Sequence, residues 1–313
     1  MRIAGTSYSE AMADQINLIS ARQYQLQNEA TTGQSIQSPS DNPAGMEEAL
    51  GLQTQLSSLN QYAQNISTLQ TQGNQVATAL QQLKTISDQA GEIATGIGSL
   101  TSTTQMQGDA AQITQLIKQA VAVVNSKSGN EYLFDGVASG QAPFTLNTDA
   151  NGNVTSVVYS GNASVTQTQI GDNSALGVTI PGQNNGGAGP RGLVSDNRYG
   201  ADLFNHLISL QNDLLSGNGT AISTVDQPAL QKDSDNIIYQ IGSNGATLTQ
   251  LQAAASAVSS QQTSIQSSLN NVAGADLTQT LVQLSQAQNS YQIALQSSSQ
   301  IMQLQQSLLM FLP

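Results

Sequence analysis

From Asn236 to Pro313 the chain carries a single charged side chain, Asp276, although its apolar residues keep helical spacing. A helix that faces water normally uses Lys, Glu and Arg on its polar face, because charge is well solvated and keeps molecules apart. Here the polar face consists of Gln, Ser, Asn and Thr, and neutral groups are buried against a neighbour at lower cost than ions. The pattern predicts helices that other chains cover in a polymer or large assembly. A polar linker is the alternative interpretation.

Charge is scarce throughout the chain, and its balance is acidic. Charged residues make up 9% of the sequence, against about 25% in typical soluble proteins. Lys plus Arg number 8 against 20 Asp plus Glu, and the resulting net charge of -12 disfavours binding to nucleic acid or anionic lipid. The absence of cysteine excludes disulfides, thiolate metal ligands and a cysteine nucleophile.

Two observations bear on location. No apolar run approaches the ~18 residues that span a bilayer, so no membrane insertion is expected. The N-terminus also lacks the basic, apolar and small-residue order of a cleaved signal peptide. If the protein is exported, we expect another route.

The first half of the chain has the periodicity of long helices. An N-terminal seam alternates steps of four and three residues, with Gln23 as one polar step; its apolar positions are Met12, Ile16, Ile19, Leu26 and Ala30. The segment 38–45 predicts a loop ending in a helix start, with Asn42 as N-cap and Pro43 at the first helical position. Helical spacing then continues over residues 44–97 and, in a shorter helix, over 113–124.

The character of the sequence changes after Asn125. Short β-like runs separated by Gly, Asn and Asp occur between residues 132 and 180, and Asn151-Gly152 predicts a hairpin turn. Helical spacing resumes at 203–214 and again at 237–272, before a break at Gly274 and Asp276. A closing helix places a second seam of four-three spacing on Leu277, Leu281, Leu284, Tyr291, Leu295, Met302 and Leu309.

The predicted fold class is therefore mainly α with a β insertion. Both termini form a long antiparallel helical rod or coiled coil, and a small β-rich domain lies outside it. The predicted boundaries are a helical rod domain at 41–136 and 191–276, a β-rich insertion at 137–190, and terminal segments at 1–40 and 277–313.

The chemistry of catalysis is missing from the sequence. His206 is the single histidine, and we expect it on a helix surface rather than in a metal cluster or triad. Residues 187–192 match G-x-G-x-x-G in letters, but Pro190 prevents the helix start that a dinucleotide site needs. We therefore predict no catalytic, cofactor-binding or metal-binding residues, and no enzyme.

Two segments carry a resemblance to a known family. The N-terminal helix followed by Ser38-Pro-Ser-Asp-Asn-Pro-Ala-Gly45, together with the segment Ala275 to Leu295, resembles the terminal regions of the bacterial flagellin superfamily. Gly129-Asn-Glu-Tyr-Leu-Phe-Asp-Gly136, followed by Ala142-Pro-Phe144, is most similar to its hook-associated branch at the hook-filament junction. The likeness covers residues 1–144 and 236–313.

The resemblance implies a secreted, structural protein of the extracellular flagellum, exported by the type III apparatus and required for motility. It implies a ring of identical copies at the junction, between an adjacent hook-associated protein and flagellin, and an export chaperone. It also implies that the terminal segments are poorly ordered before assembly and then form an inner coiled-coil layer.

The residues predicted to make the assembly contacts are those of the two terminal seams. An ordinary seam within one chain is an equally good interpretation of any single position. They are Met12, Ile16, Ile19, Leu26, Leu277, Leu281, Leu284, Tyr291, Leu295, Met302 and Leu309.

Two alternative functions remain. A flagellin that forms the bulk filament shares both termini with the hook-associated branch. A surface-displayed module, in which the β insertion binds carbohydrate, is the less favoured alternative.

Overall fold

The structure is a computed structural model that describes residues 3–137 and 140–310, and the side chains of residues 10–137 and 140–304. The described residues belong to two compact units. The terminal unit lies within Met1–Ser58 and Gln261–Pro313, and the central unit is Leu59–Ser260. The predicted division into three domains has other boundaries and stays a prediction.

Seven helices account for most of the described chain. The long ones are α1 (Ile3–Thr32), α2 (Pro43–Gly96), α6 (Gln227–Ala273) and α7 (Leu277–Met310). The shorter ones are α3 (Thr103–Val124), α4 (Leu203–Ser216) and the single turn α5 (Gly219–Ala221). A π-helical turn at Ile222–Asp226 leads into α6. The predicted fold class, long helices with a small β-rich part, is confirmed.

Four antiparallel strand pairs lie between α3 and α4. They are β1 (Lys127–Ser128) with β2 (Glu131–Tyr132), β3 (Phe144–Thr148) with β4 (Val154–Tyr159), β5 (Thr168–Gly171) with β6 (Ser174–Leu176), and β7 (Ser195–Asp196) with β8 (Ala201–Asp202).

The β3–β4 hairpin confirms the predicted turn but corrects its geometry. Thr148 pairs with Val154, so the connection has five residues rather than two. Gly152 takes a positive φ of 84°, whereas no residue other than glycine does so among the described residues. The Asp149 carboxylate accepts hydrogen bonds from the backbone N–H groups of Asn151 and Asn153, which closes the loop. The hydrogen bond from the Asn153 side-chain amide, together with these backbone bonds, lowers the pKa of Asp149.

The helices α2 and α7 each begin after a side chain that caps the first turn. α2 begins at Pro43, and the Asn42 side chain accepts a hydrogen bond from Gly45 N at 3.1 Å. α7 begins at Leu277, and the carboxylate of Asp276 accepts from the N–H groups of Thr278 and Gln279. Both predicted helix starts are confirmed.

The terminal unit joins the ends of α1 and α7 by a short antiparallel bridge. Ser35 N donates to Ala273 O at 2.8 Å, and Ala275 N donates to Gly33 O at 2.9 Å. Gly33 ends α1 with φ of 68°, a conformation that a side chain disfavours. Because Arg22 farther back on α1 reaches Gln283 on α7, the two helices run antiparallel.

The central unit has a continuous apolar core between α2, α3, α4 and the beginning of α6, with β3 and β4 packed against it. The buried side-chain amide of Gln211 links three elements of this core. Thr114 Oγ1 donates to Gln211 Oε1 at 2.9 Å, Val154 N donates to the same oxygen, and Gln211 Nε2 donates to Val154 O. A fully paired amide in an apolar core favours one arrangement of α3, α4 and β4 over others.

Candidate assembly interface

The predicted seam of α1 lies against α7. Met12, Ile16 and Ile19 are half-buried and Leu26 is buried, while Leu18 and Tyr24 beside them are 71% and 67% exposed. Gln23, the predicted polar step, is half-buried on the same face. Since α1 and α7 contact each other, this face forms a seam within the chain.

On α7 the less exposed face is not the one with the largest apolar residues. It alternates steps of four and three, and its members are Thr280, Leu284, Ala287, Tyr291, Ala294, Ser298 and Ile301. Small side chains at Ala287 and Ala294 let a neighbouring helix approach closely. Sequence analysis missed Thr280, Ala287 and Ala294 because it followed the large apolar residues; the spacing of the small residues was the available signal.

The predicted contact residues of α7 therefore divide between two faces. Leu284 and Tyr291 are half-buried on the face toward α1. Leu277, Leu281, Leu295 and Met302 are 47%, 56%, 44% and 62% exposed. The side chain of Leu309 lies outside the described residues. Whether any of these residues contacts another chain stays a prediction.

Exposed apolar residues are frequent on α7 beyond those predicted. Ile293 and Leu304 are each 63% exposed, and Val282 is 54% exposed. The helix itself, Leu277–Met310, contains no charged residue. Covering this surface with another protein would remove apolar area from water without desolvating an ion. We call Leu277, Leu281, Leu295 and Met302 the α7 outer stripe.

The motif from Ser38 to Gly45 is a compact turn in the terminal unit. Asp41 Oδ2 accepts hydrogen bonds from Ser38 N at 2.8 Å and Gln37 N at 3.1 Å, and these bonds lower the pKa of Asp41. Gly45 is buried, and a Cβ there would lie 2.6 Å from the side chain of Ile36. The close contact explains why glycine occupies this position.

His206 lies half-buried on α4, where it is paired with an acid. Its Nδ1 lies 2.7 Å from Oδ2 of Asp233, a carboxylate that also accepts a hydrogen bond from Asp202 N. Burial lowers the pKa of His206, but the hydrogen bond and charge of Asp233 outweigh it and leave the pKa above its usual value. The pair joins α4 to α6.

A second buried acid lies nearby at the end of the π-helical turn. Ser209 Oγ donates to Asp226 Oδ1 at 2.7 Å, and Asp226 is 1% exposed. Burial, together with a smaller contribution from the Asp213 charge, raises the pKa of Asp226 to about 6 against the effect of the Ser209 hydrogen bond. Because Ser209 bonds to Asp226 and not to His206, these residues do not form a catalytic triad.

The described ranges lack both a metal-binding cluster of side chains and a membrane-spanning helix. Across residues 3–137 and 140–310, no group of three or more His, Asp or Glu side chains is placed to hold a metal ion. None of the helices described combines the length and the apolar character of a membrane span.

The comparison with protein families decides the nature of the N-terminal half. The family described as the bacterial flagellin N-terminal helical region matches residues 5–139. Residues 5–139 are therefore similar to the flagellin N-terminal helical region. The matched range contains most of α1, all of α2 and α3, the first strand pair and the turn from Ser38 to Gly45. No protein among the curated sequences matches the chain.

Solved structures show which fold the flagellin region belongs to here. A protein described as flagellar hook-associated, from Vibrio parahaemolyticus, has a TM-score of 0.64 at 19% identity, over 75% of this chain and 100% of that one. FlgL from Bacillus cereus has a TM-score of 0.55 at 16% identity, over 70% and 99%. Hook-associated protein 3 from Legionella pneumophila has 0.52 at 14% identity, over 71% and 98%. The chain has the fold of these proteins.

Proposed function

We propose that the protein is a structural component of the bacterial flagellum that joins the hook to the filament and is required for motility. The flagellin N-terminal region and a fold shared with FlgL and hook-associated proteins support this role. We assign it no enzymatic activity, because it is proposed to work through its shape and its contacts with two different polymers.

The observation that carries the proposal is the α7 outer stripe. A helix that leaves four large apolar residues 44–62% exposed, and that lacks charge, is poorly suited to remain in water. In a tubular assembly, neighbouring copies would cover this stripe. Folding of the terminal segments would then be coupled to assembly, because burial between chains offsets the entropy lost on ordering them.

The partners follow from this role. We propose a ring of identical copies at the junction, with an adjacent hook-associated protein on one side and flagellin on the other. An export chaperone would bind the chain before secretion by the flagellar type III route. The working location is extracellular.

A deletion strain tests the proposal. Electron microscopy should show complete hooks without filaments, and unassembled flagellin should be found in the medium. Reintroducing the full chain should restore filaments and motility. Filaments of normal length and attachment in the deletion strain would overturn the junction role.

A flagellin is the second candidate, since the matched region is that of flagellin itself. The purified chain decides between the two. A flagellin should polymerise alone into long filaments, whereas a junction protein should not.

A further inference from the structure

An arginine in the central unit is held between two tyrosine rings. The guanidinium carbon of Arg191 lies 3.6 Å from the ring centroid of Tyr199 and 4.5 Å from that of Tyr239. Among the described residues this guanidinium has no ion pair and no hydrogen-bond partner, and its Nε is buried without an acceptor. Stacking on aromatic faces fixes the plane of a guanidinium while leaving its N–H groups free to donate.

The backbone that carries Arg191 is anchored to α6. Gln240 Nε2 donates to Arg191 O at 2.8 Å, and Asn236 Nδ2 donates to the carbonyl oxygens of Gly192 and Leu193. Asn236 is 1% exposed and Gln240 is 4% exposed. These hydrogen bonds from buried amides fix the backbone at Arg191. The arginine is therefore pre-organised for a ligand.

An ion pair between exposed Arg198 and buried Asp196 lies beside Tyr199. Asp196, which is fully buried, accepts hydrogen bonds from Arg198 Nε and from the backbone N–H groups of Gly192 and Arg198. Arg198 in turn donates to the carbonyl oxygen of Gly189. Arg198 is thus already paired within the chain, in contrast to Arg191.

The surface has the composition of a protein contact. Tyr199 and Tyr239 are 50% and 51% exposed, and Tyr and Arg are the residues that most often dominate binding energy in interfaces. Arg191, Arg198 and Lys232, whose side chain lies beside Gly200, are three of the 8 basic residues of the chain. Arg198 is paired with Asp196, which leaves Arg191 as the cation of this surface without an ion pair among the described residues.

We propose that the surface formed by Arg191, Tyr199 and Tyr239 binds a carboxylate of a second copy of this chain. The inference rests on the proposed ring of identical copies. Each neighbour carries 20 acidic residues against 8 basic ones, so an unpaired arginine meets complementary charge on a second copy. A planar guanidinium binds a carboxylate through two parallel hydrogen bonds, which would also set the orientation of the neighbour. Such a contact joins two different surfaces, as a closed ring requires.

Photo-crosslinking in assembled flagella tests the contact directly. A photoreactive phenylalanine analogue in place of Tyr239 keeps an aromatic ring at the surface. Irradiation should give an adduct of two copies of the chain, at about twice its mass, and peptide mapping should locate the second copy's attachment site beside an Asp or Glu. No adduct, or an adduct with a different protein, would overturn the proposal.

Charge variants supply the second test. Arg191→Glu should lower the yield of the copy-to-copy adduct by about tenfold or more, and Arg191→Gln by less, because the neutral variant adds no repulsion. Lys84→Glu is the matched control, since it makes the same charge change at an exposed pair on α2. Equal loss of the adduct in Lys84→Glu and Arg191→Glu would show a dependence on net charge alone and would overturn the proposal.

Folding and function are checked separately. Circular dichroism and thermal unfolding of each purified variant should match the parent chain, and Arg191→Gln provides the result if Arg191→Glu does not fold. Normal filaments in the deletion strain would remove the proposed function. Loss of filaments in that strain, combined with an undiminished copy-to-copy adduct in both Arg191 variants, would remove only this inference.

Discussion

The terminal and central units use their apolar residues in opposite ways. Among the described residues, the terminal unit buries only four hydrophobic side chains, which are Leu26, Ile36, Ala49 and Ala273. The central unit buries a continuous core that includes β3, β4 and parts of four long or intermediate helices. The terminal unit instead leaves large apolar residues of α1 and α7 in water.

The difference shows how one chain separates folding from assembly. A core such as that of the central unit supplies its own stability, because most of its apolar area leaves water when the chain folds. The two helices α1 and α7, which share a single seam, bury much less apolar area. The proposed junction role rests on this exposed apolar surface of the terminal unit.

The largest expected effect is a loss of filament attachment without a loss of folding stability. The double variant Leu281→Ser and Leu295→Ser should abolish filament attachment in the deletion strain, because both side chains are exposed in the chain and would be buried in the assembly. Its free energy of unfolding should change by less than about 0.5 kcal/mol. The control is Gln288→Ser on the same helix. Normal filaments in the double variant would exclude the α7 outer stripe from the interface.

The next-largest expected effect is a difference in the free energy of unfolding between a core variant and a surface variant. Leu80→Ala should lower the free energy of unfolding by about 2–5 kcal/mol, because Leu80 is fully buried. Leu281→Ala, at a position 56% exposed, should change it by less than about 0.5 kcal/mol. Denaturant unfolding of both variants measures the two values. Similar values would contradict the contrast between the units.

The stability of the central unit should depend on pH. The raised pKa of Asp226, about 6, means that the folded chain holds a proton that the unfolded chain has lost, so stability falls as pH rises from about 4 to above 6. The raised pKa of His206 acts in the same direction at higher pH. The total effect of Asp226 is up to about 3 kcal/mol.

Unfolding at a series of pH values checks this. Asp226→Asn should flatten the fall in stability between about pH 4 and 7, while Asp88→Asn, at an exposed site on α2, should leave the slope unchanged. A parent chain that becomes more stable as pH rises through 6 would show that Asp226 is charged in the folded state.

The smallest effect concerns two glycines of α2 in the central unit. A Cβ at Gly91 would meet nothing within 4 Å, so Gly91→Ala should raise the free energy of unfolding by about 0.5–1 kcal/mol. A Cβ at Gly73 would lie 2.7 Å from Leu248 Cδ2, so Gly73→Ala should gain less. Thermal unfolding measures both. An equal gain would show that Leu248 moves freely away.

Sequence analysis succeeded where the controlling interaction is local. The N-cap at Asn42, the helix start after Asp276 and the turn containing Gly152 depend on residues within a few positions of each other, and all three are present. It did not identify which of the two apolar faces of α7 packs against α1. The seam toward α1 uses Ala287 and Ala294, not Leu281 and Leu295, because close helix packing depends on the partner's shape.

The sequence by itself determined the long helices, their breaks, the β-rich insertion and the shortage of charge that indicates assembly. These properties arise from the spacing of residues along the chain and from the chemistry of single side chains. Only the tertiary structure decided which apolar stripe of α7 remains exposed, that His206 pairs with Asp233, and that Arg191 stacks between Tyr199 and Tyr239. The partners in each of these contacts are far apart in the chain, and only packing brings them within reach of one another.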